Sequence, residues 1–266
     1  MSHQLTSKVS DLLLAVASQV ILPAFRSTVP LESWEKDGGE IVTKADQLAE
    51  QRITEGLLRL LPRSVVIGEE ACAAQPRLLE RIGDGVVWII DPIDGTKNFA
   101  AGQEPFAIMV ALLEDGTTRG AWILDPLRAR LTYSTIEGGT FVGGRRVSTA
   151  SCLPDDQDLT GILSTAFLPQ EQQGLGELLR AKIGTVIPTK RCAGFEYPAV
   201  ALGEQDFAIY WRTLAWDHAP GAFLLTQAGG RVIHLDGTPY DPGSNRIGLI
   251  AARNPAIANR LLGLVN

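Results

Sequence analysis

The hydrophobic pattern changes period along this chain, and that change limits the fold more than any other feature. Val9, Leu12, Leu13, Val16, Val20 and Ile21 recur at helical spacing within a first helical stretch of roughly residues 5–28, and a second stretch spans roughly 44–62. From Val65 the pattern turns to short β-like runs, with Gly or Asp-Gly at several boundaries. The best of these are Val65–Ile67, Val86–Ile90, Ala107–Leu113, Ala121–Leu124 and Arg130–Thr135. Past the polar, acidic Pro154–Asp158 region, strands at Gly161–Leu163, Thr185–Ile187 and Phe207–Tyr210 alternate with helical patterns near 170–182, 195–203 and 217–228. A last strand near Ile247–Ala251 precedes a helix from Pro255. Helices first, then many strands, then alternation predicts stacked helix and sheet layers rather than one doubly wound sheet. The division near residue 150 separates an α+β half, 1–150, from an α/β half, 151–266.

Composition removes several classes. With 266 residues, 45% hydrophobic and 20% charged, the chain can bury a sizeable core as one large domain or two fused ones. A net charge of −6 argues against nucleic acid as the main partner, because phosphate backbones attract basic surfaces. It does not forbid a phosphorylated small molecule if bound cations supply local positive charge. Cys72, Cys152 and Cys192 show no C-x-x-C spacing and are expected to be reduced thiols. The apolar run Leu12–Phe25 is shorter than a bilayer span and is interrupted by Ser18, Gln19 and Pro23, so a core-facing helix in a soluble, cytoplasmic protein is expected. Lys36-Asp37-Gly38-Gly39-Glu40 reads as a tight turn between hairpin arms Leu31–Trp34 and Glu40–Thr43, either plain connection or mobile lid.

The chemistry concentrates in Trp88-Ile89-Ile90-Asp91-Pro92-Ile93-Asp94-Gly95-Thr96-Lys97-Asn98-Phe99. An apolar strand delivers Asp91 at its end, Pro92 is expected to stop the ladder, and Asp94-Gly95-Thr96 should open a helix. Alone, this pattern is also that of an Asp N-cap after a buried strand. Two carboxylates three apart on a stiff turn suit a hard cation, and the N–H groups of Gly95 and Thr96 could hold a phosphate oxygen. The chain has no P-loop, no H-E-x-x-H and no G-x-S-x-G, and His3, His218 and His234 are scattered. The D-x-D-x-[TV] spacing of aspartyl-phosphate phosphatases is absent too.

Asp91-Pro92-Ile93-Asp94-Gly95-Thr96 resembles the signature of the inositol monophosphatase family of magnesium-dependent, lithium-sensitive phosphatases. Three more family elements follow the same order: Val42-Thr43-Lys44-Ala45-Asp46 with Glu50 behind, Gly68-Glu69-Glu70, and Trp216-Asp217-His218-Ala219-Pro220-Gly221. The resemblance implies a layered αβαβα sandwich with the site between its halves. It implies that Glu69, Asp91, Asp94, Asp217 and the Ile93 carbonyl bind two or three Mg²⁺, with Glu70 orienting water or adding a weak metal contact. Asp46 and Thr96 would orient the attacking water with Glu69 beside them, Gly95 and Thr96 would hold phosphate, and Lys36 would be a basic residue on a loop near the phosphate. Four ligand carboxylates sum to −4, which two Mg²⁺ would neutralise, and a phosphate dianion would leave room for a third.

Relatives usually have a Gly-[Ser/Thr]-x-Ala segment and an acidic residue seven positions before the last metal aspartate. Here Tyr210 stands at that position, followed by Trp211 and Arg212, and the upstream segment Arg191-Cys192-Ala193-Gly194-Phe195-Glu196-Tyr197 is short. The expectation is a changed alcohol pocket at Tyr210, with Glu196 as the alternative that replaces the missing acid. Inositol, sugar or polyol phosphates are the expected substrates. Nucleotide 3′-phosphates, fructose bisphosphate and histidinol phosphate are the rivals within enzymes, and a regulatory binding protein is the rival outside them. Homodimerisation is common among relatives, and neither nucleic acid nor membrane is expected as a partner.

Overall fold

A computed structural model describes residues 3–27, 32–35, 41–149 and 158–265. Lys36–Glu40, Cys152 and the division near residue 150 lie outside the described residues.

Helix α1 (His3–Val16) runs through a π-helical turn (Ala17–Ile21) into α2 (Leu22–Phe25). The continuous helix His3–Phe25 has 23 residues and is long and apolar enough to cross a membrane by length and composition, unlike the shorter Leu12–Phe25 stretch read from sequence. Its Val9, Leu13, Val16, Ala17 and Ile21 are nonetheless buried in the core, so one face serves as a packing surface. Strands β1 (Ser33–Glu35) and β2 (Ile41–Thr43) form the antiparallel pair expected from the hairpin pattern, with Trp34 opposite Val42. Thr43 then caps α3 (Lys44–Leu60) in a reciprocal box: its side-chain oxygen accepts the Asp46 N–H and its own N–H donates to Asp46 Oδ2 at 2.8 Å, with the Thr43 hydroxyl also donating to Asp46 Oδ2 at 2.5 Å.

The first sheet has seven strands in sequence order, β3 (Val65–Gly68), β4 (Val86–Asp94), β5 (Ala107–Glu114), β6 (Thr117–Asp125), β7 (Arg130–Thr135), β8 (Gly139–Val142) and β9 (Arg145–Val147). In this sheet, among the described residues, only β3 and β4 pair in parallel, joined through α4 (Glu69–Ala74). Helix α5 (Thr96–Ala100) follows β4. The second sheet has the order β11-β10-β12-β14-β13, built from β10 (Thr160–Leu163), β11 (Thr185–Ile187), β12 (Phe207–Tyr210), β13 (Arg231–His234) and β14 (Leu249–Ala252). Its helices are α6 (Gln173–Lys182), α7 (Ala193–Ala201), α8 (Ala215–Gln227) and α9 (Pro255–Val265).

Alternation along the strands assigns the layers. Trp88, Ile90, Ile108, Val110, Trp122 and Leu124 face α1 and α3, whereas Met109, Ala121 and Ile123 face α7 and α8. The opposite side of α7 and α8 packs on the second sheet through Ala208, Tyr210 and Ala251. Ile209, Phe207 and Ile250 point the other way, toward α6 and α9. The order is therefore helix, sheet, helix, sheet, helix, the five-layer αβαβα sandwich expected. Because α7 and α8 lie between two sheets, they are buried on nearly every side and show no one-sided apolar stripe.

Candidate active site

The two aspartates of the central motif reach one cavity because β4 is irregular. Asp91 pairs with Met109 and Asp94 with Ala107, so three steps on β4 match two on β5. In a regular strand, residues three apart point to opposite faces; the single inserted residue of this bulge brings them to the same one. The strand thus continues to Asp94 rather than ending before Pro92 as the sequence suggested, and the missing proline N–H falls at the bulge. Gly95 follows in the left-handed region at φ 86°, and a Cβ there would lie 3.0 Å from the Pro105 carbonyl oxygen.

One cavity of about 360 Å³ collects Glu69 from the start of α4, Asp91, Ile93 and Asp94 from β4, Gly95 and Thr96 from the following turn, and Asp217 from the first turn of α8. Glu196 and Tyr210 line it as well. Asp46 sits behind Thr96: the Thr96 hydroxyl lies 3.3 Å from Asp46 Oδ1 and 2.9 Å from the Ile93 carbonyl. A hydroxyl has one proton, so these two contacts compete for it. Glu69 rather than Glu70 lines the cavity, while the Glu70 N–H is turned back to Glu50. Lys36 lies outside the described residues.

The carboxylates are held from the backbone. Asp91 Oδ1 accepts the Ile93 N–H at 3.0 Å, and Asp94 Oδ2 accepts the Gly194 N–H at 2.6 Å across 100 residues of sequence. Glu50 spans the start of α4, its Oε2 accepting from Glu70 N–H and its Oε1 from Ala71 N–H, both at 2.8 Å. A Cβ on Gly68 would sit 2.3 Å from Glu50 Cδ, so this approach requires glycine. Glu196 Oε1 accepts from the Thr189 hydroxyl at 2.6 Å and the Lys190 N–H at 2.8 Å.

Burial, then Glu69, Asp94, Asp217 and Asp46, push the Asp91 carboxyl well above the ordinary carboxylate range. Burial, then Asp217, raise Asp94 to about 7. Keeping all of these ionised near neutral pH requires compensating positive charge. Among the described residues no three of these groups form a closed cation cage, yet they are close enough to raise one another's pKa. The donors are all oxygen, which fits a hard cation such as Mg²⁺ and not a thiolate- or imidazole-bound metal.

Phe167, Arg212 and His218 also line the cavity, and the sequence reading gave them no role. Arg212 lies over the Phe167 ring at 4.0 Å and reaches Asp217 at 3.4 Å. His218 is buried; its Nε2–H donates to the Arg212 carbonyl at 2.8 Å and its Nδ1 accepts from the Tyr197 hydroxyl at 3.0 Å. Burial lowers its pKa to about 4. Tyr210 stacks with Tyr197 and meets His218 edge-on. Among the described residues its hydroxyl has no hydrogen-bond partner of good geometry, although it is near enough to Glu196 to favour that group's charged form.

Residues 3–266 match the sequence model of the inositol monophosphatase family. The chain belongs to that family. It is 31% identical over 214 residues to a Nus factor SuhB of Pseudomonas aeruginosa, covering 77% of this chain and 76% of that protein. It is 29% identical over 221 residues to the inositol-1-monophosphatase of Bacillus subtilis, covering 82% and 80%. Among solved structures, an inositol monophosphatase from Zymomonas mobilis superposes with TM-score 0.80 at 25% identity, covering 100% of this chain and 99% of that one. A staphylococcal IMPase-I complexed with products shares the fold at TM-score 0.83 and 19% identity, covering 100% and 96%. The inositol monophosphatase fold thus extends over the whole described chain.

Proposed function

We propose that the protein is a Mg²⁺-dependent phosphomonoesterase that hydrolyses a small inositol, sugar or polyol phosphate by direct attack of water. One observation carries the reading: Glu69, Asp91, Asp94 and Asp217, from three elements far apart in sequence, line one cavity with the Thr96–Asp46 pair at its edge. These four carboxylates and the Ile93 carbonyl would hold two Mg²⁺, or three with substrate, and Glu70 remains a neighbour through its backbone. Bound there, Mg²⁺ supplies charge for the phosphoryl oxygens and the leaving alkoxide and acidifies the attacking water.

The chain's own groups do the positioning. Asp46, fixed by Thr43, takes the Thr96 hydroxyl proton as acceptor, so that the Thr96 oxygen can accept from the attacking water and aim it at phosphorus. The Gly95 and Thr96 N–H groups face the phosphate, and Glu196 and Tyr210 meet the alcohol. Homodimerisation, lithium sensitivity and a cytoplasmic location belong to the same reading. Relatives named Nus factor support a second one, in which the chain acts through partners. The complete acidic set favours turnover.

The test is phosphate release from a panel of inositol, glycerol, sugar and nucleotide phosphates with Mg²⁺ and with EDTA. Release from at least one monoester that EDTA abolishes and Mg²⁺ restores is expected. No release from any member would overturn the reading and leave the binding role.

A further inference from the structure

Asp94 and Asp217 come from opposite halves of the chain, yet both are fastened to helix α7. Gly194 N–H donates to Asp94 Oδ2 at 2.6 Å. Three residues further along the helix, the Tyr197 hydroxyl lies 3.0 Å from His218 Nδ1, and His218 Nε2 lies 2.8 Å from the Arg212 carbonyl. The last member sets the direction of this chain. A carbonyl only accepts, so Nε2 carries the ring proton; Nδ1 of the neutral ring is then an acceptor, and the phenol donates. Tyr197 and His218 are both buried, and Tyr197 packs so closely on α8 that Gly221 has no room for a Cβ.

His218 directly follows Asp217 on α8, and Arg212 lies on the loop leading into that helix. The N-cap of α8 is Leu214, whose side chain offers no acceptor to the first-turn N–H groups. The helix start that carries Asp217 therefore lacks the usual side-chain cap. The His218 ring fastens it differently, by holding the incoming loop against the helix, and Tyr197 holds the ring. Asp217 is near enough to Asp94 to hold that carboxyl above its ordinary range, so the spacing of the two bears directly on a cation placed between these elements.

We propose that Tyr197 and His218 are positioning residues: through the Arg212 carbonyl they fix Asp217 relative to Asp94, with α7 as the common support, and so set the affinity of the cavity for Mg²⁺. This inference rests on the reading of those two carboxylates as metal ligands.

Calorimetric titration of the metal-free full chain with Mg²⁺, without substrate, tests it independently of turnover. Tyr197→Phe deletes one oxygen and keeps the ring that stacks on Tyr210. It should raise the Mg²⁺ Kd about threefold or more, the smaller end of what a neutral hydrogen bond contributes. His218→Leu removes both bonds and should raise it about tenfold, the lower end for groups that support a metal ligand from behind. His218→Gln, whose amide can still donate to the Arg212 carbonyl, should keep part of the affinity. Ile257→Val, in the core beneath α9, lowers stability away from this chain of bonds and should leave the Kd unchanged. In ¹⁵N spectra near neutral pH, wild-type His218 should carry its proton on Nε2. Wild-type Mg²⁺ binding with a Kd that stays within about twofold in Tyr197→Phe and in His218→Leu would overturn the inference and leave the metal reading intact. An equal weakening by Ile257→Val, or a proton on Nδ1, would do the same. If His218→Leu does not fold, Tyr197→Phe and the spectrum decide. No Mg²⁺ binding by the wild type would overturn both.

Discussion

Replacing Glu50 by Gln asks whether the acidic site is held from behind. Glu50 accepts the N–H groups of Glu70 and Ala71 at 2.8 Å each. These are first-turn donors of α4 with no partner inside the helix, and the carboxylate charge lies at the positive end of the helix dipole. In Gln one oxygen becomes an NH₂, a donor facing a donor, so one half-buried N–H loses its acceptor. A hydrogen bond to a charged group contributes about 1.5–3 kcal/mol and an orphaned buried donor costs about 1–3, so a loss of about 2–4 kcal/mol is expected. For a chain of this size that lowers Tm by roughly 5–10 °C. Helix α4 begins at Glu69, so the same change should also raise the Mg²⁺ concentration needed for half-maximal phosphate release. Gly68→Ala drives a Cβ into Glu50 Cδ and attacks the same contact, so the double variant should lose less than the sum of the two singles. Thermal unfolding and a Mg²⁺ titration of activity measure both effects. A Tm within about 1 °C of wild type together with an unchanged Mg²⁺ midpoint would refute the reasoning.

Asp91→Asn and Asp217→Asn should each lower turnover by about two orders of magnitude or more while the fold persists by circular dichroism; EDTA-treated protein that keeps full activity would sink the metal assignment. Asp94, raised to about 7 from 3.8, holds its proton longer folded than unfolded. Its contribution to the metal-free protein is therefore complete below pH 3.8 and is lost as pH rises through about 7. The rise in Tm on adding Mg²⁺ should accordingly be larger at pH 8 than at pH 5, and an equal rise at both would contradict it. His218 has the opposite sign: with its pKa lowered to about 4 from 6.5, its contribution is present above pH 6.5 and lost as pH falls toward 4. The stability gap between wild type and His218→Gln, followed by urea unfolding, should narrow over that range, and a constant gap would show that His218 does not titrate as described.

What could be read from sequence is what is local in sequence. The acidic motif is legible because Asp91, Asp94, Gly95 and Thr96 share one strand end, and the helices and longer strands because their apolar period persists over many residues. Strands β8, β9 and β13 were not expected: they are three or four residues long, and Arg145-Arg146-Val147 has too little apolar alternation to register. The bulge at Pro92 was invisible because it exists only relative to β5. The Glu50 clamp joins positions about twenty apart, and the Arg212–Phe167 stack joins two loops whose proximity depends on the second sheet. The Thr43–Asp46 capping box did have a local signal, a threonine three residues before an acid at a helix start. That signal establishes the cap and not the neighbour, since Thr96 arrives from a different element.

The way the acids are held explains how so many can be buried together. Asp46, Glu50, Asp91, Asp94 and Glu196 are almost fully buried, and each has an oxygen on a backbone N–H: Thr43, Glu70 and Ala71, Ile93, Gly194 and Lys190 respectively. Backbone donors serve this purpose better than lysine or arginine side chains would. They stabilise a carboxylate without adding a mobile cation that would repel a metal, and their ordering is already enforced by the strand and helix ends that carry them. They also remove only part of the desolvation cost, since Asp91 and Asp94 still have raised pKa values. The remaining repulsion makes the cavity receptive to a divalent cation. The 2.6 Å Gly194–Asp94 contact adds a structural consequence: the helix that carries Glu196 is tied directly to a proposed metal ligand. Changes in the proposed alcohol pocket and in the proposed metal site are therefore mechanically linked, so a specificity change around Glu196 and Tyr210 must leave that amide in place for the proposed hydrolysis to continue.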